Sequence, residues 1–209
     1  MGGGGHAKVL VDILEQAADV EIVGFVSVNE QETVYGYPRL GRDDVLPAVL
    51  DSGVRLALVA IGDNKRRKRS MDMVRKCGFR LSSAISPAAV ISKYVSLGEG
   101  IALLPGAIVN ANSSLGDGVI VNTNASIDHD CFLGECVHVA PGASVAGRVR
   151  LEPGVFLGIG SSVIPGVTIG SWTVVGAGAV VVSDLPSHAV AVGVPAAVSN
   201  ANPKNDSYD

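Results

Sequence analysis

The chain has 209 residues and a formal net charge of −4, which gives no electrostatic reason to bind nucleic acid. Hydrophobic residues make up 47% but aromatic residues only 4%, and 26 glycines accompany them. This mixture is typical of solenoids, whose narrow interiors are aliphatic and whose corners are rich in glycine. The three cysteines form neither a closed disulfide set nor a CxxC pair for metal or redox chemistry.

The first 82 residues alternate helical and strand-like patterns. A glycine run at 2–5 opens onto the first helix, and the predicted elements follow in chain order as a helix over 7–17, a strand over 20–26, a helix over 45–52, a strand over 56–61, a helix over 65–77 and a short strand from 79. This order predicts a small α/β domain with a parallel, Rossmann-like sheet over residues 1–82. The basic run 65–69 is interpreted as a solvated helix face rather than a nucleic-acid site.

From residue 85 the hydrophobic period becomes six. Every sixth residue from Ile85 to Val181 is aliphatic, and the residue four positions later is small or β-branched from Ala89 to Ala179. A period of six fits neither a helix nor one long strand, but it fits a short strand plus a corner. Three hexads then make a coil of eighteen residues that stacks by strand pairing. We therefore predict a parallel β-helix over 83–186, followed by a closing segment and a disordered tail within 187–209.

Polar side chains interrupt the aliphatic repeat at 122–131. His129 falls at a corner, and the neighbouring Asp130 is placed to accept a hydrogen bond from one ring nitrogen and leave the other as a base. His138 follows nine residues later, just before the inward Val139. The alternative interpretations are a surface histidine at a turn and a solvent-facing strand residue. Two histidines are fewer than the three protein ligands of a usual catalytic zinc, so no metal is expected.

The hexads over 85–182, Gly-Val-Pro-Ala at 193–196, Gly-Gly-Gly-Gly-His-Ala-Lys-Val-Leu at 2–10 and Ala-Ile-Gly-Asp-Asn at 60–64 together resemble one family. It is the sialic-acid O-acetyltransferase family, which includes the bacillosamine- and perosamine-type N-acetyltransferases. The resemblance implies a left-handed β-helix, acetyl-CoA as co-substrate, and a homotrimer with acetyl-CoA in the groove between neighbouring subunits.

The resemblance also implies roles for individual residues. His129 would be the general base, assisted by Asp130. Contacts to acetyl-CoA would come from His138, Gly147, Gly176 and Ala177. The nucleotide-linked sugar would bind at Gly4, Gly5, His6, Lys8, Gly62, Asp63, Asn64 and Asn122. A glycine turn at a helix N-terminus suits a phosphate, because small residues allow close approach and the helix dipole attracts anions.

The leading hypothesis is an acetyl-CoA-dependent N-acetyltransferase that acts on a nucleotide-linked 4-amino-4,6-dideoxy sugar in bacterial glycan biosynthesis. The alternatives are O-acetylation of a sialic acid or a related glycan and, in another class, a non-catalytic β-solenoid scaffold. With no signal peptide before residue 10 and no apolar stretch of membrane-spanning length, we expect a cytoplasmic protein without membrane insertion.

Three departures from the family pattern bear on these expectations. Relatives carry an apolar strand before the glycine turn, whereas here the turn follows Met1 directly. Either the native chain starts upstream of Met1, which we favour, or the domain lacks its central strand and leaves the flanking strands unpaired. The segment 25–29 lacks the aspartate usual after the second strand. Ala197 stands where relatives often have a basic residue, which removes one candidate contact to the CoA phosphate.

Overall fold

A computed structural model describes residues 1–17, 20–30 and 32–199, so most of the predicted disordered tail lies outside the described residues. The helices are α1 (Gly5–Glu15), α2 (Leu46–Asp51), which follows a 3₁₀ turn at Asp43–Val45, and α3 (Asn64–Lys76). The strands of the first half are β1 (Phe25–Val26), β2 (Thr33–Val34), β3 (Tyr37–Gly41), β4 (Leu56–Ala57) and β5 (Arg80–Leu81). Among the described residues no helix is long and apolar enough to cross a membrane.

The first half is an α/β unit, as predicted, but its strands are shorter than expected. The pairs β1–β3 and β4–β5 are parallel, and β2–β3 is an antiparallel hairpin. Between the two sheets lie Met1 and Gly2: the Gly2 N–H donates to the Val26 carbonyl at 2.9 Å, and the Ala60 N–H donates to the Met1 carbonyl at 2.7 Å. Beneath them runs an apolar cleft of about 570 Å³. The strands predicted over 20–26 and 56–61 have only two residues each in the structure. Extended backbone needs a hydrogen-bonding partner along its edge, and among the described residues only Met1 and Gly2 provide one between these two strands.

The second half consists of two-residue strands at six-residue intervals. They are β6 (Ala84–Ile85), β7 (Val90–Ile91), β8 (Ser96–Leu97), β9 (Ala102–Leu103), β10 (Ile108–Val109), β11 (Ser114–Leu115), β12 (Ile120–Val121), β13 (Ser126–Ile127), β14 (Phe132–Leu133), β15 (His138–Val139), β16 (Ser144–Val145), β17 (Arg150–Leu151), β18 (Phe156–Leu157), β19 (Ser162–Val163), β20 (Thr168–Ile169), β21 (Val174–Val175) and β22 (Val180–Val181). The closing strands are β23 (Val190–Val192) and β24 (Ala197–Val198).

Each repeat strand pairs in parallel with the strand eighteen residues away, as Ile127 does with Val145. Three sheets result: one contains β6 and every third strand to β21, closed by β23 and β24, one runs from β7 to β22, and one runs from β8 to β20. We call them the eight-, six- and five-stranded sheets. Together they enclose an aliphatic core, which confirms the β-helix predicted from the hexads.

Two members of the aliphatic hexad series lie outside this core. Ile85 and Leu97 are 41% and 38% exposed, although every later member of the series, from Leu103 to Val181, is buried. They belong to the first coil, so no preceding coil covers them and their side chains stay at the open end of the prism. Periodicity identifies the face of a strand but not whether another layer lies above it.

The corners fall on three edges of the prism. The chain leaves the eight-stranded sheet at the Asn122 edge, the six-stranded sheet at the His129 edge, and the five-stranded sheet at a third edge covered by α3, which we call the helix edge. Corner residues adopt left-handed φ, which glycine tolerates best: Gly100, Gly118 and Gly154 on the helix edge have φ of 66°, 66° and 74°.

The α/β unit packs on one side of this prism. Leu10 and Ile13 of α1 cover Ala102 and Ile120 on the outer surface of the eight-stranded sheet. Helix α3 covers the helix edge, and its Arg67 is only 1% exposed. The interpretation of 65–69 as a wholly solvated face is therefore wrong at Arg67, because the edge of the β-helix offers this side chain carbonyl acceptors.

Candidate active site

His129 and Asp130 form a hydrogen-bonded pair on the His129 edge. The His129 Nδ1 lies 2.7 Å from Asp130 Oδ2, and both side chains are about half exposed. Because a carboxylate only accepts, Nδ1 donates in this bond, and Nε2 is the ring nitrogen that does not contact Asp130. The bond from His129 and a second one from Asn112 lower the pKa of Asp130, so its carboxylate is ionised at neutral pH. The corner thus presents a half-exposed imidazole that is paired with an anion.

Gly147 lies one coil beyond His129 and directly against its ring. A Cβ at position 147 would come within 2.6 Å of His129 Cε1 and 2.7 Å of Nε2, closer than real contacts allow. Glycine at 147 is therefore what lets the imidazole lie flat on the next corner. The resemblance gives Gly147 a different role, as a backbone donor to acetyl-CoA, and that contact stays a prediction.

His138 lies at the junction of the α/β unit and the β-helix. Its Nδ1 is 3.2 Å from the Gly62 carbonyl and its Nε2 is 3.1 Å from Asn122 Nδ2. Since a carbonyl only accepts, Nδ1 is protonated and Nε2 accepts from the Asn122 amide. Burial, followed by the charge of Arg67, lowers the pKa of His138 to about 3, so the ring is neutral. Both nitrogens are bonded within the chain, and a contact to acetyl-CoA stays a prediction.

The glycine turn forms the N-terminus of α1. Gly4 is the N-cap and has no side-chain cap bond, and a Cβ at Gly4 or Gly5 would meet open space. The Nε2 of His6 is buried and has no hydrogen-bond partner among the described residues. Burial, followed by Arg67, lowers the pKa of His6 to about 4. Exposed Lys8 is in the second turn. The turn is thus an accessible helix end beside a neutral histidine whose nitrogen is unused.

Within the 62–64 loop, one residue is accessible and two hold the loop in place. A Cβ added at Gly62 would meet open space. Asp63 caps α3 by accepting from the Arg66 N–H at 2.6 Å. The Asn64 amide nitrogen donates to the Gly154 and Val155 carbonyls at 3.0 and 3.1 Å, so it ties the loop to the helix edge. The predicted sugar-nucleotide contacts of Asp63 and Asn64 remain untested, and both side chains already hold the loop in place.

The predicted site residues do not form one cluster within the chain. His129, Asp130 and Gly147 lie on the His129 edge, whereas Asn122, Gly176 and Ala177 lie on the Asn122 edge. The six-stranded sheet separates the two edges. On its outer surface an open cleft of about 530 Å³ runs past Asp128, over the side chains of Ser126, Ser144 and Ser162.

Sequence reasoning missed three residues that the structure ties to the predicted site. Arg67 was hidden in a run of basic residues. Asn110 and Asn112 precede Asp128 and Asp130 by one coil of eighteen residues, which is the signal that would have found them. Within 1–17, 20–30 and 32–199, no three His, Cys, Asp or Glu side chains converge as a metal site would require.

Two family models match the chain: the PglD N-terminal domain over residues 1–74 and the bacterial transferase hexapeptide (six repeats) over 148–183. The search of curated proteins finds no match. Among solved structures, the perosamine N-acetyltransferase from Caulobacter crescentus, in complex with CoA and GDP-perosamine, is 45% identical with a TM-score of 0.93, over 96% of this chain and 95% of that one.

Two further structures are similar over most of their length. The acetyltransferase domain of PglB from Neisseria gonorrhoeae is 35% identical with a TM-score of 0.91, over 95% of this chain and 97% of that one, and it has also been solved with acetyl coenzyme A. WeeI from Acinetobacter baumannii is 26% identical with a TM-score of 0.84, over 95% and 97%. Fold, repeats and relatives agree: the chain belongs to the left-handed β-helix, hexapeptide-repeat sugar N-acetyltransferases, acyltransferases that use acetyl-CoA and carry a PglD-type N-terminal domain.

Proposed function

We propose that the protein transfers an acetyl group from acetyl-CoA to the 4-amino group of a nucleotide-linked 4-amino-4,6-dideoxy sugar, for bacterial glycan biosynthesis. The observation that carries this proposal is the His129–Asp130 pair, in which a half-exposed imidazole is bonded to a carboxylate through Nδ1 on an edge of the β-helix. A scaffold protein has no need of such a pair. The Caulobacter relative supports the substrate class, since it has been solved with CoA and GDP-perosamine together.

In this mechanism the neutral sugar amine attacks the thioester carbonyl carbon of acetyl-CoA. His129 Nε2 accepts a proton from the nitrogen as the C–N bond forms, and Asp130 stabilises the resulting imidazolium. The tetrahedral intermediate collapses, the C–S bond breaks, and the CoA thiolate takes the proton from the imidazolium. The products are an amide and CoA with a free thiol, and His129 returns to its neutral form.

The sugar nucleotide would bind at the N-terminus of α1. Gly4 and Gly5 leave space for a diphosphate, and the helix dipole favours an anion there. His6 and the exposed Lys8 would assist at this turn. Gly62, Asp63, Asn64 and Asn122 would complete the seat. In this assignment 1–82 binds the sugar nucleotide, 83–186 performs acyl transfer, and strands β23 and β24 that follow close the β-helix.

The acetyl-CoA site would form between copies of the chain in a cytoplasmic homotrimer. The separation of His129 and Gly147 from Gly176 and Ala177 by a whole sheet supports this assembly, because a second copy would bring one edge to the other. The pantetheine arm would lie in the cleft beside Asp128, which is lined by three serine side chains, and so approach His129. Sedimentation should give three times the 21.3 kDa mass of one chain.

The test is a panel of UDP-, GDP- and dTDP-linked 4-amino-4,6-dideoxy sugars, with a sialic acid as the competing acceptor. Thiol release from acetyl-CoA and the mass of the product report transfer. We expect an amide product with one amino sugar, and a fall of about 100- to 10,000-fold for His129→Ala with acetyl-CoA binding retained. Release only with the sialic acid would establish O-acetylation instead. Near-normal turnover by His129→Ala would exclude this base.

A further inference from the structure

Two asparagines lie one coil before the His129 corner and bond to the aspartates on either side of the histidine. Asn112 Nδ2 donates to Asp130 Oδ1 at 3.3 Å, and Asn110 Nδ2 donates to Asp128 Oδ1 at 3.2 Å. Each asparagine stands eighteen residues before its aspartate, so the stacking of the coils itself brings the pairs together.

The backbone places Asn112 directly in line with Asp130. Their φ angles are 60° and 59°, and Arg148 one coil later has φ 59°. A left-handed corner alone accounts for an asparagine, since Asn tolerates this conformation better than other residues with a Cβ. It does not account for the amide pointing at the carboxylate, and this orientation distinguishes Asn112 from a residue that only turns the chain.

The two oxygens of Asp130 have separate partners. Oδ2 accepts from His129 Nδ1 at 2.7 Å, and Oδ1 accepts from the Asn112 amide. Asp130 is exposed, so without the second bond only the contact with His129 would limit the rotation of its carboxylate. A neutral amide fixes that rotation and leaves the negative charge intact for His129. A lysine at position 112 would compete with the imidazole for the same charge.

Asn110 acts on the other side of the histidine. Asp128 Oδ1, its acceptor, also accepts the backbone N–H of His129 at 2.9 Å. This bond fixes the peptide that carries the imidazole, just as the Asn112 bond fixes the imidazole's partner. Both contacts come from one coil, so backbone and side chain are held against the same rigid layer.

We propose that Asn112, supported by Asn110, is a positioning residue that holds the Asp130 carboxylate on His129 Nδ1 and so keeps His129 Nε2 as the base. The proposal rests on the proposed role of His129. In this role Asn112 acts on the reaction only through Asp130, to which its amide is bonded.

The test is Asn112→Gly, because glycine already occupies this corner column at Gly166 with φ 76° and the turn is preserved. We expect kcat to fall about tenfold, a fraction of what a general base contributes, with both KM values and Tm unchanged. In proton–nitrogen NMR spectra the hydrogen-bonded Nδ1–H signal of His129 should move upfield and weaken. His188→Gly, an exposed position with φ 59°, is the matched control and should leave kcat and this signal unchanged.

His129→Ala, assayed beside these variants, separates the two proposals. Wild-type kcat and an unchanged Nδ1–H signal in Asn112→Gly, with His129→Ala inactive, would overturn the positioning role and leave the base in place. An active His129→Ala would overturn the proposed base and any catalytic role for Asn112 together. A fall in Tm with an unmoved Nδ1–H signal would show that Asn112 only stabilises the corner.

Discussion

At the scale of single residues, His138 shows how burial decides the chemistry of a side chain. Its ring is 8% exposed, packs edge-on against Phe156 at 5.2 Å, and bonds to Gly62 and Asn122. If His138 Nε2 were protonated, it would be a donor facing the donating Nδ2 of Asn122, and the hydrogen bond between them would be lost. His138 is therefore a neutral link between two halves of the molecule, whereas His129 is half exposed and paired with Asp130 on an open edge.

This burial makes stability depend on pH. The pKa of His138 is about 3 in the folded chain and 6.5 in its ordinary state, so between these values the unfolded chain binds the extra proton. The free energy of unfolding should therefore fall as the pH drops below 6.5. For one such group the slope approaches about 1.4 kcal/mol per pH unit, and urea unfolding between pH 7 and 4.5 measures it.

His138→Gln, which keeps a polar side chain without the titration, should flatten this slope. His6, whose pKa is lowered to about 4, will keep part of it. His188→Gln at an exposed position is the control and should retain the wild-type slope. A His138→Gln protein with the full wild-type slope would show that His138 does not titrate between the two states.

At the scale of elements, Arg67 uses every donor of its guanidinium, with two bonds to the β-helix and three to the 61–64 segment. Nε donates to the Gly118 carbonyl, Nη1 to the carbonyls of Ile61 and Gly62, and Nη2 to Asn64 Oδ1 and the Cys136 carbonyl, at 2.7 to 3.0 Å. Burial lowers its pKa to about 10, so it remains charged at pH 7. Because Gly62 also accepts from His138, this one side chain links the 62–64 loop to the predicted site.

Arg67→Met should lower the free energy of unfolding by about 3–5 kcal/mol, because several buried acceptors lose their donor at once. The KM for the sugar nucleotide should rise as well, since the 62–64 loop loses its anchor. Urea unfolding and steady-state kinetics measure the two effects. Arg69→Met, exposed on the same helix, is the control and should change stability by less than about 0.5 kcal/mol. Equal stability of the two variants would contradict the linking role of Arg67.

At the scale of the whole molecule, the separation of the site residues onto two edges has a consequence for assembly. If His129 on one edge is the base and Asn122 on another binds the sugar, as proposed, they act together only when a second copy supplies one of them. A closed ring of three copies would do so at each of its contacts. His129→Ala and Asn122→Ala chains should then be defective alone and active when mixed.

Co-expression of these two variants should restore about a quarter of the wild-type sites. At each contact, random assembly gives each of the two copies an even chance of supplying its intact residue. Acetyl transfer by the purified mixture measures the recovery. A mixture of His129→Ala with Asp130→Ala is the control and should stay inactive, because both changes lie on the same edge. No recovery in the first mixture would place the complete site within one copy.

The sequence alone predicts much of this protein because its strongest signals are local and repeated. A hexad period determines the coil, the corners and the inward side chains through the geometry of a strand and a turn. The Asp130-His129 pair is adjacent in the chain, so its hydrogen bond follows from one corner. The family resemblance adds the handedness of the β-helix and the acyltransferase class, which the period leaves open.

Only the tertiary structure decided which residues meet across long separations. Arg67 is buried because α3 lies on the helix edge, and His138 is neutral because Gly62 faces it from 76 residues away. Asn112 reaches Asp130 only through the stacking of coils, and Ile85 stays exposed because no coil lies above it. Each outcome depends on which surfaces pack together, a property of the assembled layers rather than of any segment, whereas the repeat itself is determined within eighteen residues.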